Sequence, residues 1–199
     1  MKYINKYKYH VVLAILILGF VFIGTADYKV RESVSEEKRI SSMYKSVTNS
    51  KYDIFTDKDL KKFFENGNGI LVLASDNSIW AEDHVRIVNE VAETFDFNQI
   101  YYFDIIPSKM TMNSSYKLLL NELDEYLIRT DVEVENLFTP MMVVVKGGEV
   151  IGINNETALL PSVMKPKNYW TTLNVSEFKV EIEQYIDMIR LNSWVYLSF

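Results

Sequence analysis

The chain has 199 residues, 48% of them hydrophobic, 14% aromatic and 24% charged, a balance that fits a globular domain with an appendage and excludes a disordered polymer. Its net charge of −6 is uneven: Lys2, Lys6 and Lys8 stand in the first 26 residues without an acid, leaving −9 on residues 27–199, and so acidic a remainder argues against nucleic acid as a partner. There is no cysteine, which excludes disulfides, thiolate metal ligands, cysteine nucleophiles and a lipid-modified N-terminal cysteine.

The first element in chain order is an uncharged apolar run, Val11 to Gly24 (VVLAILILGFVFIG). As a helix it spans roughly 21 Å, and with Tyr9, His10, Thr25 and Ala26 it approaches the roughly 30 Å of a bilayer core. Residues 1–26 therefore read as a membrane anchor. The alternative is a secretory signal cleaved after Ala26, for which Gly24-Thr25-Ala26 supplies the small-residue site. In both readings the leading lysines stay cytoplasmic and the rest of the chain is extracytoplasmic. Residues 27–50 are polar and mixed in charge, and read as a stalk or linker to a domain at 51–199.

Within that domain, Tyr52–Phe55 is a short strand candidate. Thr56 opens a helix with Asp57 and Asp59 in its first turn and Leu60, Phe63 and Phe64 on one face. Asn66-Gly67-Asn68-Gly69 stops it. Ile70–Ala74 (ILVLA) is a continuous apolar run, the pattern of a strand buried on both faces. After Ser75-Asp76-Asn77 comes a long helix, with Ala81, Val85, Val88, Ala92 and Phe95 sharing a face. Ile100–Ile106 (IYYFDII) predicts a second buried strand, and a helix follows over about Ser114–Ile128. Met141–Val145 and Glu149–Ile153 flank Lys146-Gly147-Gly148, a hairpin signature. Residues 155–172, with Pro161 and Pro166, read as irregular, and a last amphipathic helix covers about Ser176–Leu191. Alternating βα units followed by a hairpin and a helix predict an α/β fold, a mixed sheet with helices on both faces.

This order, with Thr139-Pro140 just before the MMVVV strand, resembles the thioredoxin fold, and in particular a group of bacterial exported, membrane-anchored thioredoxin-like proteins. The segments that carry the resemblance are GILVLASDNSIWAEDHVRIVNEVAETFDFNQIYYFDI (Gly69 to Ile105) and LFTPMMVVVKGGEVIG (Leu137 to Gly152). It covers about residues 50–190. The family's Cys-Pro-Trp-Cys-like motif falls on Ser78-Ile79-Trp80-Ala81. There the resemblance implies a thiolate that attacks a disulfide and a second cysteine that resolves the mixed product. Ser78 provides no accessible alkoxide near neutral pH, and Ala81 resolves nothing. Dithiol oxidoreductase activity is excluded.

Recruitment of Ser78 as another kind of nucleophile needs a base within reach. His84, six residues on, lies about 240° round the helix and faces away, and His10 is in or beside the membrane segment. Ser78 reads instead as the helix N-cap, with Glu82 and Asp83 suiting the first turns. Asp76, Glu82, Asp83 and His84 read as a solvated acidic helix start with no metal-ligand spacing, and Gly147-Gly148 as a turn. No metal and no cofactor is expected.

What the resemblance leaves is a peptide-binding groove. In the family, the residue before a cis-proline offers its backbone to an extended peptide, a small-scale strand addition. That implies a cis Pro140 behind Thr139, with Ser78, Ile79 and the aromatic Trp80 alongside. The expected role is a redox-inactive, membrane-tethered module that binds exported polypeptides. The alternative is a structural or accessory subunit of an envelope or secretion complex that uses another surface, such as 155–172.

Overall fold

The computed structural model describes residues 38–76, 78–127, 137–160 and 163–191. Val11–Gly24 and residues 27–37 lie outside them. Among the described residues no helix is long and apolar enough to cross a membrane.

The sheet is built from the runs the sequence makes most apolar. Strand β1 (Tyr52–Ile54), β2 (Asn68–Ala74), β3 (Ile100–Asp104), β4 (Met141–Lys146) and β5 (Glu149–Asn154) form one five-stranded sheet in the order β1-β3-β2-β4-β5. β1, β3 and β2 run parallel, while β4 is antiparallel to β2 and to β5. Gly147 and Gly148, with φ of 61° and 87°, close the β4–β5 hairpin in the left-handed region that such a turn requires. The helices are α1 (residues 38–43), α2 (Asp57–Asn66), α3 (Ala81–Thr94), α4 (Ile105–Thr111), α5 (Ser114–Glu122), α6 (Pro166–Tyr169) and α7 (Thr172–Arg190).

Alternation along the strands produces two cores. Ile70, Val72, Ala74, Met142 and Val144 face one side, where they meet Val85, Val88 and Ala92 of α3 and Ile182 and Ile186 of α7. Leu71, Leu73, Met141, Val143 and Val145 face the other, against Leu60 and Phe63 of α2 and Tyr116 and Leu119 of α5. This is the α/β mixed sheet with helices on both faces that the pattern predicts, and its strand order is consistent with a thioredoxin-like arrangement.

Besides α5, which ends at Glu122 and not near Ile128, three segments differ from expectation. β3 stops at Asp104 instead of running to Ile106, because the Asp104 carboxylate accepts the Ile106 N–H at 3.1 Å and starts α4. Pro107 falls in the first turn of that helix, where its missing N–H has no intrahelical acceptor to lose. The last helix begins at Thr172, one turn earlier than its apolar pattern indicates, and its cap Thr171 accepts the Asn174 N–H.

The third difference concerns residues 38–50, which composition assigns to the stalk. They are packed into the first core. Ile40 on α1, and Tyr44 and Val47 in the turn that follows it, are buried. The Tyr44 and Tyr102 hydroxyls share a buried hydrogen bond of 2.9 Å, and their rings meet edge to face at 5.8 Å. Glu82 accepts hydrogen bonds from the Ser46 backbone N–H and hydroxyl, while Asn89 bridges the Lys51 N–H and the Asn49 carbonyl. The domain therefore starts no later than residue 38.

Burial pushes both phenols well above the ordinary tyrosine range, so each is a neutral group that needs its partner. Tyr44→Phe is expected to cost about 1–3 kcal/mol, because it leaves the Tyr102 hydroxyl buried with one bond fewer. Tyr44→Phe combined with Tyr102→Phe is expected to cost less than the sum of the single changes, as read from urea unfolding. Strict additivity would mean the bond contributes nothing.

Candidate functional site

Register places the expected groove. Leu73 pairs with Met141 and Ala74 with Asp104, so the Ser75–Trp80 loop that leaves β2 emerges beside Thr139-Pro140, which enters β4. Met142 pairs with Asn154, so the end of β5 reaches the same edge of the sheet. The Thr139-Pro140 peptide bond is cis, with Pro140 buried and Thr139 half-buried. Ile79 is 67% exposed, while Ser78 and Trp80 are half-buried.

Ser78 does not cap α3. The helix opens at Ala81 with Trp80 in the capping position, and the Ser78 carbonyl accepts the Ala81 N–H at 3.1 Å. Its hydroxyl accepts the Trp80 N–H at 3.4 Å, and its own N–H donates to the Ser75 carbonyl at 3.0 Å. Ser78 thus shapes the turn two residues before the helix. The cause is local: two consecutive turns, closed from Ser75 to Ser78 and from Ser78 to Ala81, delay the first helical residue.

His84 is not part of a solvated helix start. It is fully buried, 4.8 Å from the Phe178 ring and 6.5 Å from the Trp170 ring, and neither ring nitrogen has a hydrogen-bond partner among the described residues. Facing the core, it gives Ser78 no base. The acids around it have other duties. Glu82 holds Ser46, Asp83 pairs with Arg86 at 3.0 Å, and Asp76 is exposed. Among the described residues no group of His, Asp and Glu could hold a metal ion.

Trp80 is less free than a bare groove residue. Its ring lies edge-on to Tyr169 at 6.0 Å, and Tyr169 in turn lies edge-on to Trp170 at 4.9 Å. Both belong to the 155–172 segment, which the sequence reading left irregular. Pro166 sits at the first position of the one-turn helix α6, a favoured place for proline, and delivers the two aromatics. That Pro-x-x-Tyr-Trp pattern is the signal that could have flagged them.

Behind Tyr169, between the end of β5 and α7, lies a cavity of about 110 Å³ lined by Asn154, Glu156, Tyr169, Trp170, Asn174, Glu177, Phe178 and Glu181. The Tyr169 hydroxyl donates to Glu156 at 2.9 Å, and Asn154 donates its amide to Glu181 at 2.8 Å. Burial raises the Glu181 carboxyl above its ordinary value, Glu156 adds to the rise and the Asn154 bond opposes it. Burial and the bond to Glu156 push the Tyr169 phenol up to about 12.

Comparison of the sequence with protein-family models and with curated proteins returned no match. With no cysteine in the chain, no redox-active thiol pair exists at this edge.

His84 gives the site a pH signature. Burial holds its pKa down at about 3, against an unfolded value near 6.5. The folded state then refuses a proton that the unfolded state accepts. Its contribution is complete above pH 6.5 and is lost progressively as the pH falls towards 3. The wild type should lose up to about 1.4 kcal/mol per pH unit through this group. His84→Leu should flatten the difference between pH 6.5 and 5, where most carboxylates stay ionised. Parallel stability curves for the two proteins would exclude a buried neutral His84.

Proposed function

We propose that this protein is a redox-inactive, membrane-tethered, extracytoplasmic thioredoxin-like protein that holds exported polypeptides in extended form, as a chaperone or adaptor and not as an enzyme. The observation that carries the reading is the register, which brings Thr139-Pro140 at the entry to β4 beside the Ser75–Trp80 loop, where the thiols of such a fold would stand. An extended segment pairing with the Thr139 backbone gains main-chain hydrogen bonds, and the exposed Ile79 offers it apolar contact. Trp80 contributes an aromatic surface of the kind that anchors interfaces. The apolar run Val11–Gly24 supports the tether, which would concentrate the groove where chains leave the membrane.

A second reading, an accessory subunit that docks through the 155–172 region, draws support from two exposed apolar side chains, one within it and one just beyond it on α7. Val163 is 84% and Leu173 is 64% exposed.

Full-length protein with a photoreactive phenylalanine at position 79 is expected to crosslink an unfolded polypeptide. Trp80→Ala with Thr139→Trp, which sets bulk over the pairing backbone, should reduce that yield about tenfold when both proteins are compared well below their unfolding midpoints. Undiminished crosslinking would sink the groove reading. Complex recovery lost on Val163→Asp and Leu173→Asp, but kept with the groove variants, would favour the accessory role.

A further inference from the structure

The imidazole of His84 is fully buried, yet both of its nitrogens lack a hydrogen-bond partner among the described residues. Its covers are aromatic: Phe178 of α7 at 4.8 Å, and Trp170 at 6.5 Å, whose own indole N–H is buried without an acceptor. The two covers are held very differently. Phe178 stands on the 19-residue helix α7, whereas Trp170 stands on a strap, residues 163–171, whose helix is the single turn α6.

The strap's backbone bonds are mostly internal. The Asn168 and Tyr169 N–H groups donate to the Lys165 carbonyl, and the Trp170 N–H donates to the Pro166 carbonyl. Among the described residues, its hydrogen bonds to the rest of the chain run through Tyr169, to Glu156 and from the Asn174 amide, and through Thr171, which caps α7. A segment so lightly tied opens at less cost than the sheet, and a single helical turn does not hold its bonds once detached.

No charged group stands ready to compensate a proton on His84. On α3, Glu82 is bound to Ser46, and Arg86 pairs with Asp83 and Glu90. On α7, Lys179 is engaged with Glu90, while Glu177 and Glu181 line the cavity that Trp170 and Phe178 also wall. On the strap, Lys165 and Lys167 are exposed, and the Tyr169 phenol is bound to Glu156. Burial is the sole cause that holds the imidazole pKa at about 3. The closed strap thus refuses a proton that an opened one accepts. Its hold is complete above the ordinary histidine value of about 6.5 and is lost progressively as the pH falls towards 3.

We propose that the 163–171 strap is an acid-released lid: protonation of His84 displaces Trp170 from α3 and, with it, Tyr169 from its edge-on contact with Trp80. The release stands on the strap's own contacts and does not depend on what the groove binds.

The test is amide hydrogen exchange of the full-length protein at pH 7.5 and pH 5, corrected for intrinsic exchange rates. At pH 7.5 the Tyr169 and Trp170 amides are expected to be less protected than those of Ile70–Ala74, reporting an opening smaller than global unfolding. Their protection should fall about thirtyfold at pH 5, and His84→Leu should abolish that fall. Equal protection of strap and sheet, strap protection indifferent to pH, or a fall that persists in His84→Leu would each overturn the lid. Trp170→Ala gives an independent reading. Removing the cover should bring the His84 titration, followed by NMR of its ring protons, up towards about 6.5. A titration left near its buried value would overturn the proposal as well.

Discussion

Strands β2 and β4 pair at the centre of the sheet with both faces covered, and this pairing sets the terms for everything around it. Ile70 to Ala74 and Met142 to Val145 are wholly inaccessible, and Met141 is 1% exposed. Side chains alternate across a strand, so ten consecutive apolar positions on two neighbours need two separate apolar covers. One cover is α2 with α4 and α5. The other is α3 with α7, completed by the segment that carries Ile40, Tyr44 and Val47. Without that segment the Tyr102 hydroxyl would be a buried polar group facing an open side. Its link to Tyr44 explains why polar, charged sequence at 38–50 nevertheless belongs to the domain.

The same pairing fixes the candidate site. Because β4 runs antiparallel to β2, the chain that enters β4 lies beside the chain that leaves β2, and the chain that leaves β5 arrives on the other side of the start of β4. Thr139-Pro140, the Ser75–Trp80 loop and the Asn154–Glu156 corner are therefore brought to one edge by register alone. The backbone of Thr139 is positioned by β4, not by the side chains of Ser78 and Ala81.

How far the sequence discloses this arrangement depends on the kind of signal each segment carries. ILVLA and MMVVV are legible because a doubly buried strand needs an unbroken apolar run, and few other elements do. The KGGE hairpin and the Asp57–Asn66 helix are legible from local turn and capping chemistry; Thr56 and Asp59 exchange their bonds as the pattern implies. Helix α4 is not, since IYYFDII keeps strand-like composition across Asp104 and only the side chain of that aspartate marks the change. The burial of Ile40, Tyr44 and Val47 is not legible, because only Ile40 is helical and the other two sit in a turn among charged neighbours. His84 was misread for the opposite reason, an apolar-facing position among acids, where the helix phase outweighs the company the residue keeps. For Ser78, residue preference points to a cap two residues too early.

The 163–171 strap then links what the sheet holds apart. Its fixed points are few: Tyr169 to Glu156, the Asn174 amide to the Tyr169 carbonyl at 2.7 Å, and Trp170 packed on Phe178 at 5.6 Å and on His84. Through Tyr169 it supplies the neighbour of Trp80, and through Trp170 it roofs the fully buried imidazole. A neutral His84 is compatible with that aromatic roof, whereas a protonated one would place a charge against Phe178 and Trp170 with no acceptor for either N–H. The strap, the Trp80 ring and the cavity wall therefore depend on one another through a single pair of adjacent aromatics. A ligand that engages Trp80 must meet Tyr169 as well, and the shape of the cavity is set by the same contact.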